Sequence, residues 1–231
     1  MADHVLKKEV KNLREEYFET GVVVIRNAIE KINFIEKPRD KINLIYHTTP
    51  WRGLKILLKV FKDLNLENVE LNVCSSTIIY GKKFDLILRK NYESLFNECK
   101  NTKNVNYFGF LKNEIITEKL KKMHIFSHPS IWPETSCIAA IESMAAGCEV
   151  VTTNLGALYE TCSPFASFVH FDKNFENLEK KFSKALLNSI ENYWTEENQS
   201  KLKLQRETIN STYSWEKRSI EWKNFFDEIR D

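Results

Sequence analysis

Short apolar runs alternating with helix-patterned stretches constrain this chain more than any other feature of its sequence. Val22 to Ile25, Ile42 to His47, Val69 to Cys74, Val105 to Phe108, His124 to Ser127, Glu149 to Thr152 and Ser167 to His170 read as strands. Between them, Gly53 to Phe61, residues 85–99, Glu114 to Lys122 and residues 136–146 carry helical spacing. Strands and helices in alternation predict a parallel sheet built from crossover units. A run apolar at every position, such as Val22-Val23-Val24-Ile25, fits a strand covered on both faces. The expected fold class is therefore α/β, with a doubly wound, mainly parallel sheet and helices on both faces.

The ends of the chain read differently. Phe175, Leu178, Phe182, Ala185, Leu186 and Ile190 recur at helical spacing, and so do Trp215, Trp222, Phe226 and Ile229. Ser214 is placed to cap the last of these helices, with Glu216 in its first turn and Trp215 and Trp222 as its anchors. The expectation is a set of helices closing the chain. Residues 1–20 read as a charged amphipathic helix leading straight into a strand, and residues 21–231 as one domain.

Composition removes several classes of function. The chain has 231 residues with only 6 Gly and 5 Pro, so it is no linker or low-complexity chain. Its 34 basic and 32 acidic residues leave +2, too balanced to mark a nucleic-acid partner. No apolar run approaches the roughly 18 residues of a membrane span, and the first residues hold no apolar signal segment. Five scattered cysteines without a C-x-x-C pair indicate reduced thiols, hence an expected cytoplasmic location. Lys121-Lys122 and Lys180-Lys181 read as solvated helix faces, with weak attraction to an anionic membrane surface as the alternative.

Chemistry concentrates in residues 127–160, SHPSIWPETSCIAAIESMAAGCEVVTTNLGALYE. A strand ends near Ser127, a loop stiffened by Pro129 and Pro133 follows, and Glu134-Thr135-Ser136 leads into a helix. Open α/β sheets bind ligands at the carboxyl ends of their strands, and helix N-termini attract phosphate. With Thr135 or Ser136 as cap, the Ser136 and Cys137 amides would face an anion. Glu134 and Glu142 stand roughly 12 Å apart at 1.5 Å per residue. A carboxylate at each end of a row of amides suits a sugar, a diphosphate and a ribose, since carboxylates accept from sugar hydroxyls. The bland alternatives are a solvated Glu142 and a Glu134 that serves the helix dipole. His47 and His128 follow strands at the ligand edge, whereas His124 and His170 read as structural. Trp132 is placed to stack on a sugar or base or to pack. Cys137 reads as a packing residue.

The pattern W-P-E-T-S-x-x-A-x-x-E-x-M-A-A-G-C-x-V-V-T-T-x-x-G-A-L-x-E resembles the retaining glycosyltransferases of the GT-B fold, family 4, whose hallmark is two Glu separated by seven residues, here Glu134 and Glu142. Tyr46 to Leu54 resembles the family's phosphate loop, Val105 to Phe110 its V-x-x-x-G-x strand and loop, and Val24 to Ile29 the segment opening its C-terminal domain. The resemblance spans about residues 22–190 and implies a Rossmann-like donor-binding domain whose N-terminal partner domain lies outside this chain.

By that resemblance, Arg52 neutralises the donor diphosphate and Gly53 lets the backbone approach it. Glu134 holds the transferred sugar; Thr135, Ser136 and Cys137 present amides; Glu142 grips the ribose; Phe108, Gly109 and Phe110 border the base. Glu134 and Arg52 carry the catalytic assignment. The donor is a nucleotide-diphosphate sugar, UDP favoured over GDP, the acceptor a sugar, lipid or protein, and no further cofactor or metal is implied. A nucleotide-sugar epimerase of the same fold and a non-catalytic nucleotide-binding module are the alternatives. The chain departs from the family at three places. A second basic residue of the phosphate loop is missing, leaving Lys82 or Lys83 to supply it. Cys74-Ser75-Ser76-Thr77 replaces a Gly-rich turn, and Glu149 replaces a Pro.

Overall fold

The computed structural model describes residues 23–229. The helix expected over residues 1–20 lies outside them. Six strands form one parallel sheet: β1 (Ile42–Tyr46), β2 (Val69–Val73), β3 (Val105–Tyr107), β4 (Ile125–His128), β5 (Glu149–Thr153) and β6 (Ser167–Val169). Their order is β3-β2-β1-β4-β5-β6, all pairs parallel. The crossovers are α1 (Leu54–Leu64), α2 (Lys82–Asn101), α3 (Asn113–Leu120), α4 (Ile138–Ala145) and α5 (Leu158–Cys162). Three helices close the chain: α6 (Phe175–Glu191), α7 (Glu196–Thr212) and α8 (Trp215–Glu228). The expected doubly wound sheet with C-terminal helices is the fold observed.

Strand periodicity separates two core layers, because successive side chains point to opposite faces. Leu44, Tyr46, Ile125 and Val151 pack on the side of α1 and α6. Ile45, Phe126 and Val150 pack on the side of α4, with Ile209 and Tyr213 from the end of the chain. Strands buried on both faces are why the runs lack polar alternation. Three helix starts are capped by side chains: Asn174 accepts from the Glu176 and Asn177 amides, Thr195 from Asn198, and Ser214 from Lys217.

Three expectations are corrected. Residues 23–28 form no strand, and Val24 is 62% exposed. Its backbone first bonds to the fold at Ile29, whose amide donates to the Tyr213 carbonyl at 2.8 Å, while Arg26 reaches Glu160 by its side chain at 3.2 Å, so the apolar run pairs with no strand edge. The cap of α4 is Cys137, not Thr135 or Ser136. Its left-handed backbone (φ 58°, ψ 72°) delays the helix to Ile138. Trp215 and Trp222 do not anchor α8; they are 52% and 44% exposed, and only Arg218 of that helix is buried. Helices α5 and α7 extend the expected set.

Buried polar groups tie the C-terminal helices to the sheet. Glu149, at the start of β5, accepts from Ser189 Oγ of α6 at 2.7 Å, Asn198 Nδ2 of α7 at 3.1 Å and Ser167 Oγ of β6 at 3.1 Å. Lys37 is buried with its Nζ donating to the Leu120 and Ala146 carbonyls at 3.0 and 2.9 Å, where α3 and α4 end. Burial holds its ammonium below the usual lysine range.

Candidate functional site

The strand order reverses between β1 and β4, and such a reversal leaves a crevice outside the carboxyl ends of the two strands. The loops after β1 and β4 therefore meet there. After β1 the chain makes a single turn at Pro50–Arg52 and enters α1 through Gly53. Gly53 has φ +124°, and a Cβ on it would lie 2.1 Å from the Pro129 carbonyl oxygen. Only glycine allows the two loops to touch this closely.

Across that contact, Arg52 Nη1 donates to Glu134 Oε2 at 2.6 Å. The other carboxylate oxygen of Glu134 lies 3.3 Å from His128 Nε2 at the end of β4. His128 is fully buried, and burial holds its imidazole below the usual histidine range. A neutral ring donates from one nitrogen only, so Nε2 carries the proton toward Glu134. The Glu134 backbone is held from the far side by Gly156 and Ala157. The Ala157 amide donates to the Glu134 carbonyl at 2.7 Å, and a Cβ on Gly156 (φ +64°) would stand 2.5 Å from that same carbonyl oxygen.

Cys137 completes this cluster; one donor atom each from His128, Glu134 and Cys137 lies within 4.8 Å of the others. The trio is a poor cation cage. A guanidinium already neutralises the carboxylate, and burial pushes the Cys137 thiol up to about 12. Cys137 fills space at the start of α4. The first amides of α4, at Ile138 and Ala139, four and five residues after Glu134, have no hydrogen-bond partner among the described residues.

Glu142 lies further along α4. It is largely buried and accepts from Asn113 Nδ2 at 3.0 Å, at the start of α3. Desolvation raises its carboxyl above the ordinary value, which the Asn113 hydrogen bond partly opposes. Next to Glu142 in the chain, Ser143 Oγ donates to the Ala139 carbonyl at 2.7 Å and lies 2.8 Å from His47 Nε2. Burial lowers His47 to about 3, so the ring is neutral and ties the end of β1 to α4.

The structure thus joins Arg52, Gly53, Glu134 and Cys137 in one cluster and places Glu142 in a second, both attached to α4. Thr135 is exposed and Ser136 half-buried in the loop before α4, neither capping it. Phe108 and Phe110 are exposed beyond β3, with Lys119 Nζ 3.6 Å from the Phe108 ring centroid. Gly109 and Phe110 line a separate cavity of about 320 Å³ with Asp85, Arg89 and Tyr107, apart from Arg52. Lys82 and Lys83 are exposed in the first turn of α2, and neither bonds to the Arg52–Glu134 pair. His124 is structural as read: its Nδ1 accepts from the Asn43 amide at 2.9 Å. Sequence reasoning missed Asn113, for which no signal exists, and the clamp at Gly156, visible only as an unexplained glycine in the segment.

Comparisons with known proteins bear on the family and the fold. A family model described as glycosyl transferases group 1 matches residues 25–202. No curated protein matches the sequence. Among solved structures, a glycosyltransferase from Rickettsia africae ESF-5 superposes with TM-score 0.69 at 18% identity, over 95% of this chain and 62% of that one. Sucrose-phosphate synthase from Thermosynechococcus elongatus superposes with TM-score 0.71 at 16% identity, over 94% of this chain and 56% of that one. A pneumococcal O-GlcNAc transferase in complex with UDP and GlcNAc gives 0.63 at 12% identity, over 96% of this chain and 44% of that one. At these identities the shared property is the fold. The chain spans less than two thirds of the length of each of these structures.

Proposed function

We propose that this chain, which belongs to the glycosyl transferases group 1 family, binds the donor in a retaining glycosyltransferase that moves a sugar from a nucleoside-diphosphate sugar to an acceptor. The observation that carries this reading is the Arg52–Glu134 pair, set beside the unpartnered first amides of α4 at the sheet's switch point.

Each group has a task the chemistry needs. The diphosphate lies against the Ile138 and Ala139 amides and Arg52. A guanidinium has five N–H donors, so Arg52 can hold Glu134 and a phosphate oxygen together. When the bond from the anomeric carbon to the diphosphate oxygen breaks, its electron pair goes to the leaving diphosphate. Donors fixed around that developing charge lower the barrier without reorganising. Glu134 accepts from hydroxyls of the departing sugar, its direction fixed by Arg52, His128 and the Gly156 clamp. Glu142 and Asn113 meet the ribose hydroxyls, and the Phe108-Gly109-Phe110 loop borders the base. The acceptor hydroxyl then attacks from the face the diphosphate leaves and passes its proton to the departing diphosphate oxygen, which preserves the anomeric configuration. The preferred donor is a UDP-sugar.

Calorimetric titration of the chain with UDP, GDP and ADP tests the reading. UDP is expected to bind and Arg52→Ala to weaken it by at least tenfold. Equal, weak responses to all three nucleotides, unchanged by Arg52→Ala, refute it.

A further inference from the structure

A second cavity, of about 560 Å³, opens beside the proposed donor site and shares one residue with it. That residue is Arg52; the rest of the described lining is aromatic or aliphatic. Its centre is Trp51, whose ring is stacked on Tyr80 (6.0 Å, 27°) and meets Phe84 at 5.7 Å and Tyr92 at 5.9 Å. Ile131 and Trp132 line it from the loop after β4. The two tryptophans are thus built next to the two charges of the site: Trp51 precedes Arg52, and Trp132 stands two residues before Glu134.

This lining is held ready. The Trp132 amide and carbonyl both bond to Ser130 Oγ, at 3.3 and 2.9 Å, which pins its backbone while its ring stays 48% exposed. Tyr80 is 56% exposed, and its hydroxyl lies 3.5 Å from Arg52 Nη2. Aromatic rings fixed in this way supply contact area at little entropic cost, and a volume of this size takes a small organic ligand.

We propose that this cavity receives the apolar part of the acceptor: a hydrocarbon or aryl group attached to the hydroxyl that takes the sugar. The assignment rests on the donor reading above, because it is Arg52 that brings the cavity within one side chain of the transferred sugar. The lining argues the class. Among the described residues the only charged one that lines the cavity is Arg52, which the donor reading already commits to Glu134 and the diphosphate, so no charge is left there for an ionic group of the acceptor. A nucleobase in the same place would meet no carboxylate or amide side chain of the described lining for its polar edge, at a desolvation cost an alkyl group does not carry.

Octyl β-D-glucoside below its micellar concentration is the probe, against the full chain, followed by saturation-transfer NMR alongside UDP calorimetry. The octyl protons are expected to take up more saturation than the glucose ring, and free glucose to give no effect. Trp132→Ala is expected to weaken octyl glucoside about tenfold and Trp132→Phe to restore most of it, both leaving UDP affinity unchanged. Binding that is absent, insensitive to Trp132→Ala, or displaced by UDP overturns the proposal while leaving the donor reading intact. Failure of UDP to bind removes the donor reading and the acceptor assignment with it.

Discussion

Arg52 and Glu134 meet at 2.6 Å across the reversal in strand order, one from the loop after β1 and the other from the loop after β4. The carboxylate is almost wholly buried and the guanidinium about one-fifth exposed. Removing one partner therefore strands the other in a poorly solvated place, which costs up to about 3–5 kcal/mol for a fully buried pair and less here because water reaches Arg52. Arg52→Met is expected to lower stability by about 1–3 kcal/mol. Arg52→Met combined with Glu134→Gln should lose less than the two single losses added together. Denaturant midpoints of the four proteins check this, and simple additivity would refute direct coupling.

Gly156 fixes the direction of Glu134 without touching its side chain. Alanine there meets both a strained φ of +64° and the Glu134 backbone at 2.5–2.6 Å. Gly156→Ala is expected to cost about 1–3 kcal/mol and to weaken nucleotide binding through a displaced carboxylate. Gly81→Ala is the control. It shares a positive φ of +95° but has no atom within 4 Å of the added carbon, so it carries the backbone strain alone and leaves binding unchanged. Thermal melts and nucleotide titration of both variants separate strain from displacement.

The local pattern carried most of the fold, because strands buried on both faces announce themselves as unbroken apolar runs. Where it failed, the failure has a cause in particular residues. Helix α7 escaped because two of its buried positions are amides. Gln205 donates to the Met144 and Cys148 carbonyls, and Asn198 to Glu149 and the Tyr193 carbonyl. Such a helix shows little apolar periodicity although it is packed. The run at residues 22–25 misled for the opposite reason: apolar content does not reveal whether an edge is free to pair. In the site, the residues at 52, 134 and 142 were legible as one group, but the direct bond between Arg52 and Glu134 was not. The left-handed Cys137 that resets the start of α4, and the Asn113 that meets Glu142 from another helix, depend on tertiary placement.

Protonation of Glu142 sets a pH dependence of opposite sign for folding and for binding. Desolvation raises its carboxyl in the folded chain. Its protonated form is therefore favoured by folding. That contribution is complete below the unfolded value of about 4.3 and is lost as pH rises through the folded value. Ribose hydroxyls, by contrast, prefer the ionised carboxylate as acceptor. Nucleotide affinity is expected to fall as pH drops through the raised value, with proton release on binding. Glu142→Gln should flatten the profile, and titrations in buffers of different ionisation enthalpy measure the protons released.

Acid should unfold the chain through its buried histidines. Burial lowers His47 to about 3 and His124 to about 4. Both are neutral in the fold, so the stability they contribute is present above the unfolded value near 6.5 and is lost as pH falls toward 4 and then 3. For His124 the gap corresponds to on the order of 3 kcal/mol. Its ring accepts from the Asn43 amide through Nδ1, and Nε2 lies 2.9 Å from the Pro38 carbonyl. His124→Gln is expected to lower stability at pH 7 but to make the loss between pH 6.5 and 4 shallower. Urea midpoints across that range test it, and an unchanged slope would assign the acid sensitivity elsewhere.

Glu149 is the clearest test of how the C-terminal helices are held. Three neutral donors from three elements converge on its carboxylate: Ser189 of α6, Asn198 of α7 and Ser167 of β6. Lys201 stands at 4.0 Å and is more than one-third exposed, so its attraction is screened and the neutral hydrogen bonds dominate. Glu149→Ala removes the acceptor these donors share, leaving Asn198 only the Tyr193 carbonyl, and is expected to cost about 2–4 kcal/mol, at roughly 1–3 kcal/mol for a stranded polar group. Glu149→Gln keeps one acceptor oxygen but turns the other position into a donor facing donors, so it should recover only part of the loss. Because the network lies at the start of β5, opposite the strand ends that carry Arg52 and Glu134, hydrogen exchange should rise first in α6 and α7. Nucleotide binding should survive wherever the fold does. Loss of binding at full stability would mean that the tail helices reach the site by a route other than this network.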